Sequence, residues 1–63
     1  MGAIEKNGYQ FQPEFSVINQ EGAIHVYKEG KFLEEVKFEF SGEFPEHDLI
    51  EELVNHYCFK HGI

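Results

Sequence analysis

The stretch of this chain that most resembles a reactive cluster is His56-x-Cys58-x-x-His61. Histidine and cysteine at short spacing are the donors of structural zinc and the partners in thiolate nucleophiles. On a helix, residues two apart point to different sides, so only Cys58 and His61, three apart, share a face. Structural zinc takes four ligands, and no further Cys or His spacing supplies the rest. A Cys58–His61 thiolate also needs electropositive surroundings, whereas the chain sets twelve acids against five basic residues, all of them lysine. Cys58 is therefore expected to be a packing residue and His61 a helix-end histidine. His25 and His47 read as exposed polar residues, with Glu51 four positions after His47 as its helical neighbour. Ser16 and Ser41 are the only aliphatic hydroxyls, and no nucleophile motif surrounds either. No catalytic, metal or cofactor site is expected. The one oddly placed acid is Glu34, which falls on an apolar strand face, either as a buried carboxyl or as a strand-end side chain reaching solvent.

A second feature is electrostatic. Glu35, Glu39, Glu43, Glu46, Asp48, Glu51 and Glu52 follow Glu34 with Lys37 as the only base among them. Two readings stand side by side: a solvated surface that also complements a helix dipole, and a docking surface for a basic protein. A calcium loop is excluded, because its alternating ligands and central glycine are missing.

Hydrophobic periodicity then says what must position these groups. Residues 9–17 alternate, with Tyr9, Phe11, Phe15 and Val17 apolar between Gln10, Gln12, Glu14 and Ser16, as a half-buried strand does. Pro13 marks an edge, bulge or bend in it. Residues 23–28 and 31–40 form two more strands. Ile24 and Val26 share one face of the former, and Phe32, Val36, Phe38 and Phe40 one face of the latter. Placing Val26 beside Phe32 on that face predicts a three-residue loop of Lys28, Glu29 and Gly30. The two-residue alternative sets Phe32 opposite Tyr27 and mixes the faces. Pairing Val17 with Ile24 predicts an even loop within residues 19–22. Asn7-Gly8 is a hairpin signal that leaves open a short extra strand at residues 3–6.

After Ser41-Gly42 the period becomes helical. Leu49, Ile50, Leu53, Val54, Tyr57 and Cys58 form one stripe, predicting a helix over 45–61 with Pro45 in its first turn and Gly62 as its stop. The expected fold is α+β: an antiparallel meander of three strands, a fourth left open, with one C-terminal helix on one sheet face. The expected core is Phe11, Phe15, Val17, Ile24, Val26, Phe32, Val36, Phe38, Leu53, Val54 and Tyr57.

Sixty-three residues make one small domain, 1–63, whose stability rests on its aromatic residues or on self-association, since a single cysteine forms no internal disulfide. A net charge of −7 with no arginine disfavours nucleic acid and anionic lipid as direct partners. One lone thiol and no run of ~20 apolar residues point to a cytoplasmic protein rather than a secreted or membrane-spanning one. Ile18, Tyr27 and Leu33 project from the sheet face that the helix leaves open, a candidate surface for a homodimer.

In size and style the chain resembles the small uncharacterised proteins of Bacillus-type bacteria, a resemblance that carries no function. The β-β-β-α order also resembles the partial double-stranded-RNA-binding-like domain of HicB-type antitoxins, which neutralise a small basic toxin. That likeness is one of topology, and topology does not fix function. The expectation is a non-enzymatic acidic interaction protein, inhibitor- or antitoxin-like. The alternative is a small enzyme or ligand-binding domain with its pocket between sheet and helix.

Overall fold

A computed structural model describes residues 3–63. Four strands, β1 (Ile4–Lys6), β2 (Tyr9–Ser16), β3 (Glu21–Lys28) and β4 (Lys31–Glu39), form one antiparallel sheet in the order β1-β2-β3-β4, and α1 (His47–His61) follows. The short N-terminal strand is present. Asn7 and Gly8 both take positive φ, 53° and 84°, and bring Lys6 back opposite Tyr9. Two successive left-handed residues are the mark of the tight turn whose twist suits a hairpin. β1 reaches only as far as Phe11, so Pro13, opposite Ile24 on the far side, has no strand partner on its other side among the described residues. That is where a residue without an N–H is tolerated.

Two loops depart from expectation. β2 ends at Ser16, which pairs with Glu21, so Val17 lies in a four-residue loop and not in the strand. The loop length is even, as predicted, but it lies two residues earlier in the chain. Gln20 explains the placement. Its side-chain amide donates to the carbonyls of Val17 and Gly42, both at 2.8 Å, and accepts from the Gly42 N–H at 2.8 Å. One side chain thereby ties this loop to the segment leaving β4.

The β3–β4 hairpin uses the two-residue loop that face parity argued against. Glu29 and Gly30 both take positive φ, 52° and 78°, and Lys28 pairs with Lys31. Phe32 consequently sits opposite Tyr27, and Leu33 is left unpaired before Val26 meets Glu34. A bulge of one residue is enough to reconcile the loop with the pattern. It turns Phe32 outward and restores Val36 and Phe38 to the inner face, opposite Ile24 and Gly22.

The core between sheet and helix is Phe11, Ile24, Val26, Phe38 and Phe40 against Ile50, Val54, Tyr57 and Cys58. Val36 and Leu53 line it half-buried. Three expected core residues lie outside it: Phe15, Val17 and Phe32 are 40%, 47% and 57% exposed. Val17 is lost with the early strand end and Phe32 with the bulge. Phe15 stands at the sheet's end, edge-on to Phe40 at 5.5 Å between ring centroids. The helix starts later than predicted: Glu46 is the N-cap and buried Pro45 precedes it. At the other end Gly62, φ 70°, ends the helix, with its N–H on the Phe59 carbonyl and that of Ile63 on the Cys58 carbonyl. That pattern satisfies carbonyls the last turn would leave bare. No helix among the described residues is long and apolar enough to cross a membrane.

Candidate functional site

The helix covers the inner sheet face and leaves the outer one open. Strand alternation places Gln12, Glu14 and Ser16 of β2 on that outer face, beside Glu21, Ala23, His25 and Tyr27 of β3 and Phe32, Glu35, Lys37 and Glu39 of β4. His25 lies at its centre, with its side chain 23% exposed, and is not the free surface histidine the sequence suggested. Its Nε2 is 2.9 Å from Glu35 Oε2, and its Nδ1 is 3.7 Å from Glu14 Oε2. Phe32 packs edge-on to both the His25 and Tyr27 rings, at 6.0 and 5.7 Å between centroids. Four carboxylates and three rings thus share one uncovered face. Carboxylates hydrogen-bond ammonium and guanidinium groups strongly, and aromatic faces attract the same cations. Groups of these two kinds, together with Lys37, line the face. Ser16, the aliphatic hydroxyl on this face, lies four residues along the β2–β3 ladder from Gln12, the residue opposite His25, too far to serve as its nucleophile.

A second polar cluster closes the core at the other end of the helix. Glu34 is on the inner face, as parity predicted, and its side chain escapes to the rim, 47% exposed and 3.5 Å from His61 Nε2. The His61 ring stacks on Tyr57 at 4.1 Å. Burial, then hydrogen bonding to and repulsion from the Glu34 carboxylate, push the Tyr57 hydroxyl from its ordinary 10.0 up to about 12. The fold therefore favours the neutral phenol. Its contribution to stability is complete below pH 10 and falls as pH rises towards 12, because the unfolded chain there binds fewer protons. Tyrosinate absorbance should show one of the three tyrosines ionising near pH 12, and Glu34→Gln should move that transition downward. An unchanged titration in Glu34→Gln would remove Glu34 from the account.

The structure separates much of what the sequence grouped. His56 is exposed and Cys58 is buried, so they share no site. His47 makes its helical contact with Glu51, 3.2 Å away. Among the described residues no three His, Cys, Asp or Glu side chains converge on a metal position. The acidic stretch divides in two: Glu35 and Glu39 join the outer face with Glu14 and Glu21, while Glu46, Asp48, Glu51 and Glu52 cluster at the helix start and Glu43 sits in the connection between. Ile18, 95% exposed, lies in the loop before β3. Tyr27 is at the strand's far end, roughly 20 Å away at ~3.3 Å per residue. Leu33 is at the bulge near Tyr27, so the three do not make one patch. The aromatic group that does exist was hidden by Phe32. Glu29-Gly30, taken as a two-residue turn, is the signal that would have exposed it. Between sheet and helix the space is filled by side chains. Open grooves lie at the margin, one lined by Ile4, Lys6, His47, Glu51, Val54 and Asn55 and another by Phe15, Phe44, Pro45 and His47.

Comparison with known proteins bears on this geometry. No solved structure matches the chain. It is 73% identical, over 63 residues and the full length of both chains, to a Bacillus subtilis (strain 168) protein described as "Uncharacterized protein YbxH". That agrees with the likeness to small Bacillus-type proteins seen in the sequence. Residues 1–63 match the family model described as "Family of unknown function (DUF5370)", and the chain belongs to that family.

Proposed function

We propose that this is a small, non-catalytic acidic interaction protein of the cytoplasm whose outer sheet face docks a basic protein, in the manner of an inhibitor or antitoxin. The observation that carries the reading is the placement of Glu14, Glu21, Glu35 and Glu39 along the face that α1 does not cover, with the Phe32 and Tyr27 rings at one end of it. A lysine- or arginine-rich segment laid across it meets carboxylates along its length and an aromatic end. The net charge of −7 steers such a partner in from a distance. The alternative, a small enzyme or ligand binder with its pocket between sheet and helix, would use open grooves at the margin, such as the one beside β1 or the one lined by Phe15, Phe44, Pro45 and His47.

The test compares wild type with a Glu14→Gln/Glu35→Gln/Glu39→Gln variant, both immobilised and exposed to native bacterial lysate. Exposed carboxylates contribute little to stability, so the variant should keep its circular dichroism spectrum. The expected result is a basic protein held by wild type, released by moderate salt and not held by the variant. Retention of the same protein by both, or retention of no basic protein, overturns the reading.

A further inference from the structure

We infer that the exposed edge of β4 is a self-recognition surface, through which two copies pair antiparallel about a two-fold axis at Val36 into one eight-stranded sheet. β4 is the last strand of the sheet, nine residues long, and among the described residues carries no neighbour on its far side. The backbone direction is set by one bond: the Phe40 N–H donates to the Gln20 carbonyl on the β3 side. Alternation along the strand then aims the N–H and C=O groups of Glu35, Lys37 and Glu39 at the open edge. Such a row is a template for another strand.

The side chains choose the register. Opposed residues in an antiparallel pair must lie on the same face, so the axis can pass only through a residue position. Centred on Val36, Glu35 stands opposite the second copy's Lys37, and symmetry repeats the pair. Centred on Glu35, two Glu35 carboxylates meet. Centred on Lys37, two ammonium groups meet and Glu35 faces Glu39. Centred on Glu34, two Glu34 carboxylates meet on the inner face. Centred on Phe38, much of the pairing runs past Glu39, where the strand ends and Gln20 draws Gly42 back towards β3. Only the Val36 register sets unlike charges opposite each other while keeping the paired residues, 33–39, within the strand. It also places Val36, half-buried in one copy, against its own symmetry mate. With the axis perpendicular to the sheet, both helices fall on one side, and the two outer faces adjoin on the other. The homodimer surface is thus a strand edge, not the Ile18, Tyr27 and Leu33 side chains.

Light scattering over a concentration series at physiological salt reads the result, with each variant checked for fold by circular dichroism. Wild type should pass from monomer to dimer mass within the micromolar range. Lys37→Glu puts like charges opposite at both symmetric pairs and should weaken the dimer by at least about tenfold. Lys31→Glu changes the net charge equally, but lies beyond the paired length and should leave the dimer unchanged. Glu35→Lys should weaken self-association as Lys37→Glu does, yet a mixture of those two variants should form heterodimers as tight as wild type, since every opposed pair is again unlike. A wild type that stays monomeric to high micromolar concentration overturns the proposal. So does equal weakening by Lys31→Glu and Lys37→Glu, or a mixture that fails to associate.

Discussion

Phe11→Ala should cost about 3–5 kcal/mol of unfolding free energy, while Phe32→Ala should cost under about 1 kcal/mol. Phe11 is 0% exposed, pairs with Val26 in the middle of the sheet and meets the Tyr57 ring edge-on at 5.6 Å. Its loss empties the contact between sheet and helix, and neither a ladder strand nor a helix can move in to fill the space. Domains of this size hold roughly 3–9 kcal/mol in total, at ~0.05–0.15 kcal/mol per residue. The Phe11 variant should therefore lose about a third or more of the total stability. Phe32 is the same residue type on the same sheet, but it is 57% exposed on the outer face. Urea denaturation of the pair distinguishes the two possible hairpins, because a three-residue β3–β4 loop would bury Phe32 and give both variants a large loss. Comparable costs for the two would mean that the bulge at Leu33 is wrong.

That contrast also shows where the sequence was legible. The helix and the three long strands followed from periodicity, because that signal is local and redundant, and Asn7-Gly8 marked the place of the N-terminal hairpin while leaving its strand open. Four stripe residues, Ile50, Val54, Tyr57 and Cys58, are the ones the helix buries. Register was harder, because parity counts residues and a bulge adds one without any compositional mark. One unpaired Leu33 reverses the face of everything between it and the turn. It thereby moves Phe32 from the predicted core to the aromatic end of the candidate site. The candidate site shared that fate: His25, Glu14 and Glu35 are distant in sequence and meet only through the register of three strands. The acidic run suggested one docking surface, whereas the connection after Glu39 sends Glu46, Asp48, Glu51 and Glu52 to the helix start, apart from Glu35 and Glu39 on the outer face.

Gly22 is the position where the smallest substitution should do the most damage. It lies in β3 on the inner face, opposite Phe15 on one side and Phe38 on the other. It does not take the left-handed conformation of Gly8, Gly30, Gly42 and Gly62, so the backbone itself would accept alanine. The space would not. A Cβ there would stand 2.5 Å from the Glu14 carbonyl oxygen and 2.5 Å from Cζ of Phe38. The Phe38 ring, 7% exposed, covers the glycine in place of a side chain and can shift a little. The Glu14 carbonyl belongs to the main chain of β2 and cannot shift without displacing the ladder. Gly22→Ala should accordingly cost about 1–3 kcal/mol, the range for overpacking a filled site. Phe38→Leu in the same chain removes only one of the two clashes, so the pair should be non-additive yet still short of full rescue. The strain also has a direction: displacing Glu14 relative to β3 pulls one of the two carboxylates away from His25. Amide shifts in β2 should therefore extend to the outer face in a folded Gly22→Ala protein. A Gly22→Ala variant within about 0.5 kcal/mol of wild type, with β2 undisturbed, would show that the ring and strand yield more easily than this packing allows.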